Sequence, residues 1–161
     1  MLVLLILVMA FIFLMSSTNA VDSRNESRAI SRVICRIFIR DFDSLPFGTQ
    51  EAHVGHLNQA LRKFAHFFEF ALLGSVFYMT LHTWGVKHKI ALLVTFGAGI
   101  VYALTDELHQ GFVEGRAPEV PDVFLDAFGV FFGGLIVWII LYAVMKRRKK
   151  KEEAAAAASG A

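Results

Sequence analysis

Apolar residues run almost unbroken through four stretches of this chain, at residues 1–17, 64–82, 90–108 and 123–145. A helix needs about 20 mostly apolar residues to cross the roughly 30 Å hydrocarbon core of a bilayer. The last three stretches are long enough and predict three membrane helices. The first, MLVLLILVMAFIFLM, rises only ~22 Å as a helix. Ser16 to Thr18 lengthen it, and local thinning of the bilayer absorbs the remainder. A rival for this stretch is a cleaved signal sequence ending near Ser17-Thr18-Asn19-Ala20. Such sequences start with positive charge, and the first basic residue here is Arg24. A retained first helix is therefore expected.

Residues 24–42 have a different period. Arg24, Arg28, Arg32, Arg36 and Arg40 recur every four residues, and Ile30, Val33, Ile34, Ile37 and Phe38 form an apolar stripe at helical spacing. This predicts an amphipathic helix lying at the headgroup boundary. The arginine row is either a solvated face or a set of lipid-phosphate contacts. It drifts around the helix by ~40° per step, so it does not make one sharp line. Asp41 to Gly55, punctuated by Pro46 and Gly48, reads as a connector. After residue 145 come Lys146, Arg147, Arg148, Lys149, Lys150 and Lys151, then EEAAAAASGA. That end is low in complexity, carries no chemistry and is compatible with an expression scar. The organisation is thus one membrane domain over 1–145 and a basic tail over 146–161.

Composition supports a membrane setting. Hydrophobic residues make up 56% and charged residues 19%, against about 25% charged in soluble domains. Disorder, fibrous repeats and most soluble folds are excluded. A net charge of +2 does not point to nucleic acid. The single cysteine, Cys35, permits neither an internal disulfide nor a zinc-type cysteine spacing. The fold class expected is all-α: a multi-pass membrane four-helix bundle with an additional amphipathic interfacial helix. Basic residues divide equally between the two sets of loops, but the tail packs its six against a helix end. Both termini are therefore expected on the cytoplasmic side of the cell membrane.

Charged residues at or within membrane helices are functional candidates, because burying them is costly. Here they gather. Arg62, Lys63, His66 and Glu69 open the second apolar helix. Asp106, Glu107, His109 and Gln110 close the third. Arg116 follows in a loop, and Asp122 and Asp126 flank the start of the fourth. An up-down topology brings these ends, with Ser16 and Ser17, to one side of the membrane in either orientation. Arg62, His66 and Glu69 share a helix face, as do Asp106, His109 and Gln110. One outcome is an ion-pair clamp between helices, with Arg62 or Arg116 paired to Glu69. The other is a ligand pocket. General acid–base chemistry by His66 or His109 beside Glu69, Asp106 or Glu107 is possible. Metal binding has only weak candidates in His66, His109 and Asp122, and no cofactor is required. Ser16 and Ser17 lack a nucleophile-elbow context. Gly129 and Gly133 form a GxxxG that suits close helix packing. His53 and His56 fall in the connector, and His82 and His88 on the opposite, solvated side.

The run Arg62-Lys63-Phe64-Ala65-His66-Phe67-Phe68-Glu69-Phe70, with Leu73-Gly74, resembles the RKxxHFxEYxxLG signature of VanZ-like membrane proteins. Tyr102-Ala103-Leu104-Thr105-Asp106-Glu107-Leu108-His109-Gln110 is similar to the family's YAxxDExHQ. Phe112, Gly115-Arg116, Asp122, Asp126 and Gly129 resemble its continuation, and Phe13 to Ser17 its first-helix end. Phe70 departs from the pattern, which often has Tyr there. The resemblance implies a small multi-pass bacterial membrane protein. The family takes its name from a protein associated with teicoplanin-type glycopeptide resistance. It implies no settled activity. Two functions follow as expectations. In the first, an extracytoplasmic polar pocket binds a membrane lipid, a lipid-linked envelope precursor or a lipoglycopeptide. Arg62, His66, Glu69, Asp106, Glu107, His109, Gln110, Arg116, Asp122 and Asp126 would line it. In the second, a membrane enzyme acts on an envelope lipid by His/carboxylate or metal-assisted chemistry.

Overall fold

The apolar stretches fold as helices, and three of the four helices outrun the stretch that nucleates them. In the computed structural model, which describes residues 1–17, 20–113 and 118–159 and the side chains among them except those of 20–26 and 157–159, the order is as follows. Helix α1 spans Leu2–Ser16, α2 Ala20–Phe38, α3 Phe47–Thr83, α4 His88–Gln110 and α5 Val120–Ser159, with a short 3-10 turn at Phe42–Ser44 between α2 and α3. The described residues contain no strand, and the molecule is an all-α, multi-pass membrane bundle. Helices α3, α4 and α5 are each long and apolar enough to cross a membrane. Helix α1 is apolar but has only 15 residues.

The connector expected over Asp41 to Gly55 is a correction. Only its first part is a turn, and α3 begins at Phe47 directly after Pro46. Proline suits that place, because its fixed φ leads into a helix and it has no N–H to leave unbonded. Glycines at 48 and 55 obscure the helical signal in sequence. What compensates is tertiary: Val54 is fully buried against Cys35 of α2 and Phe42, with Ile39, Leu45 and Leu57 around them. His53 and His56 therefore lie on a helix. Thirty-seven residues at ~1.5 Å each make α3 about 55 Å long, so its first part extends beyond any ~30 Å core.

Helix α2 folds back along that extension. Asp41 makes the reversal with a left-handed φ of 54°, a conformation Asp tolerates better than most residues. The face turned to α3 is not the apolar stripe. Ser31 and Cys35 are buried there, Arg28 and Arg32 both pair with Glu51, and Arg36 Nε donates to Asp43 Oδ1 at 2.9 Å. Ile30, Val33, Ile37 and Phe38 face outward. Arg28 and Arg32 thus serve the contact with α3, while Arg36 and Arg40 pair with Asp43 and Asp41 in the segment between the two helices.

In the bundle, α5 packs chiefly on α3 and secondarily on α4, while α1 lies against α3 and α4. The core joins Leu5, Val8 and Ile12 of α1, Phe70, Leu73 and Val76 of α3, Ala103 of α4 and Val130 of α5. Many large apolar side chains, Leu93, Val101, Phe124 and Ile139 among them, point outward, as expected where lipid is the solvent. Lipid supplies no hydrophobic drive between helices, so close approach through small residues holds them together. A Cβ at Gly133 would overlap the Ala71 carbonyl oxygen, and one at Gly74 would overlap the Val130 backbone. The GxxxG glycines are therefore packing residues. Gly85, with φ of 79°, closes the short α3–α4 turn. Beside it, His82 and His88 stack with ring centroids 5.0 Å apart, and Tyr78 Oη lies 2.7 Å from His88 Nδ1. Both histidines are half-buried, not solvated as expected.

Candidate functional site

Chain reversal brings the end of α1, the middle of α3, the end of α4 and the start of α5 together. There α3, α4 and the start of α5 enclose a cavity of about 70 Å³. Helix α3 contributes Gln59, Arg62, Lys63 and His66, α4 contributes Glu107 and Gln110, and Glu119, Asp122, Leu125 and Asp126 come from the start of α5 and the residue before it. The α3 residues follow a 0, 3, 4, 7 spacing, which is one helix face. That spacing could have found Gln59 and Lys63, which the ligand set drawn from the sequence omitted. Glu119 had no such signal, because the loop brings it there.

Each α5 carboxylate has a distinct setting. Asp122, in the first turn of α5, is favoured by the positive end of the helix dipole. It also pairs with Lys63, which reaches Glu119 Oε2 at 3.3 Å as well. Glu107 projects from α4 and accepts the backbone N–H of Glu119 through Oε1. It thereby serves a donor that the start of α5 cannot satisfy internally. Asp126, one turn below Asp122, is 1% exposed. Its Oδ1, like Glu107 Oε2, is buried with no hydrogen-bond partner among the described residues.

Asp106 lies behind this wall. It is 3% exposed, and its Oδ2 accepts from Ser16 Oγ and from Gln110 Nε2, both at 2.9 Å. Its Oδ1 is buried without a partner among the described residues. His66, Asp106 and Asp126 each present a ligand atom within 4.8 Å of the other two. Glu69 is half-buried on the α3 face that also carries Arg62 and His66.

Some expected site residues go elsewhere. His109 turns to α1, where its ring stacks on Phe13 at 4.3 Å and Nε2 lies 3.0 Å from Ser17 Oγ. It fastens α1 rather than facing the cavity. Phe70, at the position where the signature often has Tyr, is fully buried with its ring 5.9 Å from that of Tyr102. A hydroxyl there would sit in the core. Tyr102 instead donates to the Met9 carbonyl at 2.7 Å. Cys35 is buried in the α2–α3 contact. Arg116, expected as an anion contact, lies outside the described residues, as does the Arg24 side chain.

On the far side of α5 from the polar cavity is an apolar groove of about 480 Å³. Phe96 and Ile100 of α4 line it with Val123, Phe124, Ala127, Phe128 and Phe131 of α5. The same two turns of α5 therefore carry acids on one face and an aromatic channel on the other. Among the described residues the cavity lining is richer in carboxylates than in cations, and its one lysine is already engaged. Such a lining suits cations and hydrogen-bond donors.

No curated protein and no solved structure matches this chain significantly. A family model described as VanZ/LLP1 matches residues 1–142, and the chain belongs to that family.

Proposed function

We propose that this protein binds an amphiphilic ligand of the cell envelope, a lipid-linked precursor or a lipidated glycopeptide, with its polar part at the acidic cavity and its acyl chain in the neighbouring groove. The observation that carries this is the two-faced start of α5: Asp122 and Asp126 line the cavity while Val123, Phe124 and Ala127 line the groove. Ligand sites combine an apolar wall with a few convergent polar groups. The small polar cavity fits an ion or a single headgroup element, and a larger head would stay outside it. The dense basic tail after α5 supports cytoplasmic termini, which sets the cavity on the extracytoplasmic side. Membership of the VanZ/LLP1 family supports a link to glycopeptide resistance.

A second reading is an enzyme acting on such a lipid, favoured by His66 standing beside Asp126 and Asp106, a pairing suited to acid–base work. Native mass spectrometry of the purified protein tests ligand binding. A retained lipid mass is expected, lost on filling the groove with Ile100→Trp and weakened by Asp122→Asn, with matching loss of protection in a glycopeptide susceptibility assay. Retention indifferent to both substitutions would overturn the proposal.

A further inference from the structure

The pair of buried aspartates beside His66 does not behave like an interhelical clamp. A clamp pairs acid with base, as Lys63 does with Asp122 and Glu119. Asp126 instead projects from α5 with Oδ1 buried and unpartnered among the described residues, and Asp106 faces it from α4 with its own Oδ1 in the same state. The two carboxylates are 1% and 3% exposed. At close range two ionised carboxylates repel, and Glu107 and Asp122 line the cavity beside them. Two buried carboxylates this close are relieved either by keeping a proton or by a counter-charge that enters, and the unpartnered oxygens leave room for the second.

Asp106 is also held in a particular way. Ser16 and Gln110 both donate to Oδ2, which restrains the carboxylate and leaves Oδ1 buried and unpartnered among the described residues. Hydrogen bonds to the non-ligating part of a ligand are how proteins orient metal-binding groups. Ligand atoms from His66, Asp106 and Asp126 fall within 4.8 Å of one another. At a bond length of ~2.1 Å, two ligands on one ion stand at most about 4.2 Å apart, so small side-chain rotations close the set.

We propose that His66, Asp106 and Asp126 bind one divalent first-row cation, with Zn²⁺ and Mn²⁺ as the ions whose preferences match one imidazole and two carboxylates. The cavity beside it, lined by Glu107 and Asp122, leaves the ion accessible to water or to an oxygen of a ligand. His109 and Asp122, the alternatives suggested by sequence, are committed to Ser17 and to Lys63.

The test uses the full chain in detergent, stripped with EDTA and dialysed against Zn²⁺ or Mn²⁺, with bound metal counted by mass spectrometry and affinity measured by calorimetry. One equivalent of at least one of these ions is expected, together with a rise in melting temperature. Asp126→Asn and His66→Gln should each weaken binding by ~100-fold, and Ser16→Ala, which only orients Asp106, by about 10-fold. Metal-free Asp126→Asn should melt no lower than the metal-free parent, because it buries one charge fewer. That result shows the variant to be folded, and His66→Gln is read in its place otherwise. The double substitution His82→Gln/His88→Gln should leave binding intact. Substoichiometric binding of both ions, binding unchanged in both Asp126→Asn and His66→Gln, or binding abolished by the His82/His88 substitutions would overturn the proposal. It does not rest on the lipid reading: the ion is titrated alone, and lipid retention by EDTA-stripped protein tests the other claim separately.

Discussion

Ser16 Oγ donates a hydrogen bond of 2.9 Å to Asp106 Oδ2 across 90 residues of sequence, and both side chains are buried. This bond fastens the last turn of the short α1 to the last turn of α4, beside the polar cavity. Ser17 to His109 and Tyr102 to the Met9 carbonyl repeat the connection at the edge and further along α1. A helix that is short for a bilayer is thus tied to its neighbour by polar bonds at one end and by Leu5, Val8 and Ile12 in the core.

Ser16→Ala should destabilise the protein in detergent by about 1–3 kcal/mol, the cost of withdrawing a partner from a buried polar group. Ser17→Ala should cost less, because that hydroxyl is exposed and also bonds the Phe13 carbonyl. Thermal melts of Ser16→Ala, Asp106→Asn and the double variant should show clear coupling between the two sites. Additive effects would mean that the bond contributes nothing.

Gly133→Ala should lower stability by about 1–3 kcal/mol through overpacking, because the added methyl meets the Ala71 carbonyl oxygen on α3. Gly97→Ala is the control. A Cβ at Gly97 meets nothing within 4 Å, and replacing a helical glycine by alanine favours the helix by roughly 1 kcal/mol. Melting temperatures should move in opposite directions for the two.

Glu51→Gln should loosen α2 more than either arginine substitution alone, because Glu51 accepts from both Arg28 and Arg32. Hydrogen exchange should accelerate in the second half of α2 and the first three turns of α3, with the bundle unaffected. Exchange unchanged in α2 would show that Cys35, Phe42 and Val54 hold the hairpin alone.

Lys63→Gln removes the cation that joins α3 to the start of α5 through Asp122 and Glu119. With about a third of each of the Lys63 and Asp122 side chains exposed, the pair is partly screened. A loss of about 1 kcal/mol is expected. The difference from the parent should shrink as salt is raised, and hydrogen exchange at the Glu119 and Asp122 amides should quicken. A loss independent of salt would point to packing by the lysine stem instead.

The helices that span the membrane were legible in the chain, because each needs only a long apolar run and satisfies its backbone hydrogen bonds internally. The gathering of Arg62, His66, Asp106, Asp122 and Asp126 at one end followed from counting helix reversals. The extension of α3 back to Phe47 was not legible. It depends on Val54 meeting Cys35 and Phe42 across a turn, and glycines hid its local helical tendency. Nor could spacing tell that His109 would turn to Ser17 while Asp126 turned inward to Asp106 and His66. Residues on one helix end share a neighbourhood by periodicity alone. Which of them meet depends on the rotation of each helix about its axis, and that rotation is set by contacts such as Gly133 on Ala71 and Gly74 on Val130, made between residues more than fifty positions apart.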